Sequence, residues 1–176
     1  MLRLYLLRHA KSSWKEKGLA DFDRPLAPRG RRAAEVLGQA LRAHTWLPRR
    51  IICSSAVRTL QTLDLILPTL VDAGATPEVL RKRRLYDLME EDYVDLIREE
   101  GGEVASLMLV GHNSAVQSSA LALCGMGDPE ALAVMEASFP TAALAVIDFN
   151  VRRWSDIAEG SGALANFWMP RGGLGG

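Results

Sequence analysis

The sequence predicts an α/β fold organised on a mostly parallel central sheet. Three observations carry that expectation. Residues 2–7, 51–53 and 105–110 are short apolar runs of strand length, each closed by polar or turn-forming residues. The segments between them place small and apolar residues at helical spacing. Strands that alternate with helices pair in parallel, so their carboxyl ends collect along one edge of the sheet, where α/β folds bind ligands.

Size and charge narrow the possibilities. The 176 residues suffice for one domain with a core that needs no covalent staples. The expected domain spans residues 1–170, and the glycine-rich residues 171–176 have too little side chain to pack and read as a mobile tail. Lys plus Arg and Asp plus Glu both number 21, so net charge offers no argument for nucleic acid or a membrane as partner, and any basic site must be local. Cys53 and Cys124 sit in apolar runs and match no metal or disulfide spacing, so they read as buried free thiols of a reducing compartment. The first apolar run is too short for a signal peptide and no stretch has the length of a membrane span. The expected location is cytoplasmic, and the expected state a monomer.

Residues 2–7 run without polar warning into Arg8 and His9. This pair fits the wet end of a strand, and it also fits a cation beside a nucleophile or base. A polar, turn-rich loop follows through Arg24, long enough to carry function. Pro28 suits the first turn of a helix whose inner face is Gly30, Ala33, Ala34, Leu37, Gly38 and Leu41. His44 ends it, where a histidine complements the helix dipole. After the second strand, Ser54 and Ser55 lead into a helix over residues 56–67 with Val57, Leu60, Leu63 and Leu67 inward, which Pro68 bends or ends. Arg58 lies in its first turn, where the dipole disfavours a cation. Either an anion sits between Arg58 and the helix terminus, or the side chain runs out to solvent.

Residues 78–80 read as a third strand, residues 81–84 as a solvated basic run, and Asp87 as a turn or cap. A short amphipathic helix around Tyr93, Leu96 and Ile97 ends at Gly101. The strand over residues 105–110 delivers His112, with Gly111 permitting a close backbone approach. Asn113 or Ser114 would cap the next helix, which extends up to Gly125, and a further helix spans residues 128–137. Residues 141–149 read as a strand, 150–162 as turns, and 163–169 as an edge strand stopped by Pro170.

Three strand ends thus bring Arg8 and His9, Ser54 with Arg58, and His112 to one sheet edge. Two arginines, two imidazoles and helix termini form an oxyanion clamp suited to a phosphoryl group. A metal site is the competing use of two histidines. It is disfavoured because Arg8 would repel a cation and no Glu or Cys completes a ligand set.

Four stretches, Leu6-Leu7-Arg8-His9-Ala10, Arg24-Pro25-Leu26 through Arg29-Gly30, Ser54-Ser55-Ala56-Val57-Arg58-Thr59 and Val110-Gly111-His112-Asn113, resemble the histidine phosphatase superfamily. Within it the chain is similar to the SixA-like phosphohistidine phosphatases, in order over most of residues 1–150. The resemblance implies a three-layer α/β/α sandwich of the phosphoglycerate mutase type. It implies that His9 is a transiently phosphorylated nucleophile and that Arg8, Arg58 and His112 bind the phosphoryl oxygens, with Ser13 and Arg24 touching substrate from the loop. Asp87 falls where many members carry the acid that protonates the leaving group, although SixA-like members are less uniform there. No cofactor or metal is implied, and the expected partner is a phosphorylated substrate, a phosphohistidine-carrying protein among the candidates. A small-molecule phosphomonoesterase, a phosphomutase and a non-catalytic phosphoprotein-binding module are the alternatives. The chain looks short for a mutase, and the presence of all four core residues argues against a dead enzyme.

Overall fold

β1 (Leu2–Arg8) lies in the middle of the sheet and is apolar because both of its faces are covered. In the computed structural model, which describes residues 1–171, Leu4 and Leu6 point into one hydrophobic cluster and Tyr5 and Leu7 into another. The remaining strands are β2 (Arg50–Ser54), β3 (Glu78–Lys82), β4 (Ser106–Gly111), β5 (Cys124–Gly127), β6 (Leu144–Phe149) and β7 (Gly162–Trp168). The described residues build one seven-stranded sheet in the order β3-β2-β4-β1-β6-β7-β5. β3, β2, β4 and β1 pair in parallel, as do β5 and β7, whereas β6 runs antiparallel to both β1 and β7. The sheet is therefore mostly parallel, as its strand-helix alternation requires.

Helices cover both faces, giving the three layers. α1 (Pro28–Ala43) and α2 (Val57–Asp72) place Leu37, Leu41, Leu63, Ile66 and Leu70 against Tyr5, Leu7, Ile51, Met108 and Val146. On the opposite face, α4 (Val94–Glu100), α5 (Ala115–Leu123) and α6 (Pro129–Ala137) contribute Leu96, Ile97, Val116, Leu123 and Met135. Each fully buried Leu or Ile stabilises the fold by roughly 2 kcal/mol, so both layers are needed to offset chain entropy. α3 (Arg84–Asp87) is a single turn, and short 3-10 turns occupy Asp21–Asp23 and Trp154–Asp156. No described helix is long and apolar enough to cross a membrane.

The inner face expected for α1 is the one observed, with Gly30, Ala33, Ala34, Leu37, Gly38 and Leu41 all buried. α2 departs from expectation. It continues through Pro68 to Asp72, because Pro68 faces solvent while Ile66 and Leu70 on either side keep their burial. Its fully buried positions are Thr59, Thr62, Leu63, Ile66 and Leu70, and Leu60 and Leu67 pack only at the margin. α5 stops at Leu123 rather than running to Gly125, and residues 124–127 form β5, with two glycines in a stretch poor in strand formers. Gly125 allows the close approach there, since a side chain would strike the Gly160 carbonyl. β7 consequently lies inside the sheet, between β6 and β5, and is not an edge strand. Cys53 is buried but Cys124 only half so, and the 172–176 part of the expected tail lies outside the described residues.

The fold holds the loop after β1 against the start of α1. Ser12 and Leu26 form an isolated antiparallel bridge, and the Ala27 N–H donates to the Lys11 carbonyl at 2.9 Å. Gly30 packs so closely that a Cβ would collide with that same carbonyl. Gly30→Ala should therefore displace loop or helix and cost about 1–3 kcal/mol, the usual range for overpacking. A thermal melt reads this as a midpoint several degrees lower, and an unchanged midpoint would show that the loop yields freely.

Candidate active site

The parallel register of β1 with β4 sets Arg8 opposite Gly111, so His9 and His112 emerge side by side. Their rings are 5.3 Å apart between centroids. The His9 N–H donates to the Gly111 carbonyl at 3.0 Å, and the Ala10 N–H donates to Thr62 Oγ1 at 3.0 Å, fixing the chain as it leaves the strand. Gly111 serves a close approach, as its position suggested. A side chain there would overlap the ring of Tyr93, whose hydroxyl accepts from the His112 N–H at 3.1 Å and donates to the Leu85 carbonyl at 2.8 Å.

The hydrogen bonds define the histidine tautomers. His9 Nδ1 lies 2.7 Å from the Ala10 carbonyl, an acceptor only, so Nδ1 carries the proton. Nε2 is left with its lone pair and accepts from Arg58 Nε at 3.3 Å. His112 Nδ1 accepts from Arg58 Nη2 at 3.2 Å, which leaves Nε2 to donate to Ser54 Oγ at 2.7 Å. Burial, then His112 and the two arginines, push the His9 pKa well below its ordinary value, although its bond to Ala10 opposes this. Burial and Arg58 lower His112 to about 3. Both rings are neutral near pH 7.

Arg58 does not run out to solvent. It is 3% exposed and folds across the histidines towards the loop after β1. There its Nη1 donates to the Asp21 carbonyl at 2.7 Å and its Nη2 to Asp21 Oδ2 at 3.1 Å. Asp21 Oδ2 also accepts from the Tyr86 hydroxyl at 2.9 Å, and Oδ1 from Arg24 Nε at 3.0 Å. Burial alone would raise the Asp21 pKa, but the Tyr86 hydroxyl and the Arg58 and Arg24 guanidiniums outweigh it and hold the carboxyl below its ordinary value. Arg8 donates through Nη1 to the Phe139 carbonyl at 2.8 Å, while its buried Nε has no hydrogen-bond partner among the described residues.

Arg8, His9, Asp21, Arg24, Arg58 and His112 line a cavity of about 280 Å³ with Lys11, Ser12, Trp14, Met89, Glu90, Asn113 and Thr141. The structure thus brings together Arg8, His9, Arg58, His112 and Arg24, and leaves out two residues that sequence reasoning placed in the site. Ser13 turns away, donating its N–H to the Pro25 carbonyl at 2.8 Å and accepting at Oγ from the Lys15 N–H at 3.2 Å. Its neighbour Ser12 faces the cavity and accepts from Arg24 Nη1 at 2.8 Å. Asp87 is exposed and pairs with Arg83 at 3.5 Å. The reason is helical geometry. α3 turns Tyr86 towards Asp21, and the next residue points about 100° away.

Asp21, Ser12, Tyr86, Tyr93, Trp14 and Glu90 were missed as site residues. For Asp21 the sequence held a signal, an acid three residues before an arginine in a long loop. The others carried none.

Comparisons with known proteins bear on family and fold. The family model for the histidine phosphatase superfamily (branch 1) matches residues 4–90. The Agrobacterium tumefaciens protein assigned as phosphohistidine phosphatase SixA is 32% identical with a TM-score of 0.78, over 96% of this chain and 97% of that one. The chain belongs to the histidine phosphatase superfamily. A Nakamurella multipartitia structure of the same assignment is 27% identical with a TM-score of 0.69, covering 97% of each chain. An uncharacterised Mycobacterium tuberculosis protein is 36% identical over 94% of this chain and all of that relative. This histidine phosphatase is SixA-like in sequence and fold, and it is a hydrolase of the phosphatase class.

The depressed histidines give this phosphatase a definite pH response. An unfolded histidine titrates near about pH 6.5. As pH falls below that, the unfolded chain takes up protons that the native His9 and His112 refuse, so stability is full above it and declines towards the native pKa, about 3 for His112. The ring resonances of both should not move between about pH 5 and 7. The loss of melting temperature over that interval should be shallower in His112→Asn, which removes one of the two refused protons. A ring that titrates near its unfolded value would contradict the tautomers above.

Proposed function

We propose that this histidine phosphatase hydrolyses phosphohistidine on protein substrates through a covalent phosphohistidine on His9. The observation that supports the chemistry is the lone pair of His9 Nε2, held towards the cavity between Arg58 and His112 by the bond from Nδ1 to Ala10. Attack forms the Nε2–P bond as the substrate's P–N bond breaks, and the departing imidazole takes the bond pair and a proton from solvent, which the hydrolytic water of the next step returns. Water then attacks phosphorus, the Nε2–P bond breaks and inorganic phosphate leaves, so one difficult step becomes two easier ones. The Arg8 Nε, which has no hydrogen-bond partner among the described residues, and the Arg58 guanidinium, steadied by Asp21, supply donors to the phosphoryl oxygens. The arriving dianion also favours protonation of His112, reversing the effect of Arg58. Transfer of this kind needs little beyond positioning and charge stabilisation.

The protein phosphohistidine reading is supported by the SixA assignment of the 32% identical relative and by the absence of Asp87 from the cavity. An imidazole or aryl oxide leaves with less help from a general acid than an alkyl alcohol does. One observation favours a second reading. Glu90 lines the cavity and is the carboxyl there that would protonate an alkyl leaving group in a small-molecule phosphomonoesterase.

Hydrolysis of a phosphohistidine protein domain, an aryl phosphate and a sugar phosphate separates these readings. His9→Ala should abolish turnover of all three, by roughly 10⁴-fold or more, as for a nucleophile acting within a unit. A chelator should have no effect and vanadate should compete, and Arg58→Ala should cost more than Arg24→Ala. Full activity in His9→Ala, or loss on chelation, would overturn the mechanism. Glu90→Gln should spare phosphohistidine. If wild type prefers the sugar phosphate and Glu90→Gln slows it by about 10²-fold, the usual contribution of a positioned acid, the second reading holds. Asp87→Asn should leave all three rates unchanged.

A further inference from the structure

Trp14 stands at the cavity mouth and is 72% exposed. Of the chain's four tryptophans, Trp46 and Trp154 are buried and Trp168 is half-buried, so this exposure is a local choice and not a habit of the chain. An indole carries a large apolar area that folding ordinarily hides. One face of Trp14 is already used. The Arg24 guanidinium carbon lies 3.5 Å from the ring centroid. Arg24 is itself only 8% exposed and is tied down by Asp21 and Ser12. The adjoining backbone is fixed by the Ser13 N–H to Pro25 carbonyl bond at 2.8 Å. The ring is thus held in place without substrate while most of its surface stays exposed.

We infer that Trp14 is a specificity-determining residue, a stacking platform for a flat ring bonded directly or through one oxygen to the phosphorus held at His9. The inference rests on the phosphatase reading above and names the leaving group that the site prefers, an imidazole or aryl ring over an alkyl chain. Asp21 couples the two subsites. Its Oδ2 holds Arg58 of the phosphoryl clamp and its Oδ1 holds Arg24 beneath the indole, so clamp and platform are referenced to one carboxylate. A platform ordered in advance loses little entropy when a ring docks, and stacking on an aromatic face tolerates any ring that is flat.

Binding of two non-hydrolysable probes tests this without turnover. Phenylphosphonate carries a ring on phosphorus and methylphosphonate does not. In wild type, calorimetry should find phenylphosphonate bound about tenfold more tightly, the order expected of one stacked ring. Trp14→Ala should bring the ratio close to one, and Trp14→Phe should recover most of it. With an aryl phosphate as substrate, the loss in Trp14→Ala should fall on KM more than on kcat. A wild-type ratio near one, a ratio unchanged in Trp14→Ala, or no recovery in Trp14→Phe would overturn the inference and leave the His9 chemistry standing. Failure of both probes to bind wild type would instead overturn the phosphoryl clamp, and this inference with it.

Discussion

The structure depends on one buried guanidinium. Arg58 is nearly inaccessible, yet its three nitrogens touch both histidine rings and the carbonyl and carboxylate of Asp21. A charge taken out of water is costly unless it is paired, so Arg58 requires Asp21 and draws the loop after β1 over the cavity. Burial keeps the imidazoles neutral, and the same charge adds to that effect. Clamp, nucleophile and loop are therefore one electrostatic unit, in which each member sets the condition of the others.

Placement of that unit comes from backbone pairing. The β1·β4 register aligns the two histidines, and the His9 and His112 N–H groups are taken by Gly111 and Tyr93. Side-chain direction is then decided by acceptors such as the Ala10 carbonyl and Ser54. Thr62 on α2 reaches Ala10, so the helix that carries Arg58 also steadies the peptide next to the nucleophile. A nucleophile needs both a free lone pair and a fixed bearing, and these bonds provide both.

The loop of residues 11–27 makes the site more than a strand edge. It is pinned at Lys11, Ser12 and Ser13 to residues 25–27, and it carries Asp21 and Trp14 between those anchors. Anchoring at its base lets a polar segment with few apolar contacts hold two functional side chains in register with the sheet.

Much of this was legible in the sequence. Apolar runs ending in Arg8-His9, Ser54 and Gly111-His112 specify strands that converge, because period and length decide strand or helix locally. The small-residue face of α1 was equally plain. What the sequence could not decide were contacts whose partners lie far along the chain. β5 exists because β7 pairs with a glycine-rich stretch that has no strand propensity of its own. α2 outlasts Pro68 because tertiary burial of Leu70 outweighs one missing backbone bond. Asp87 and Ser13 fit as residue types, yet one turn of helix and one backbone bond aim them away from the cavity. Their neighbour Ser12 lines it instead, and Tyr86 reaches Asp21 at its wall. Residue identity sets what chemistry is possible, and rotation about the chain axis, settled only by packing, decides which residue performs it.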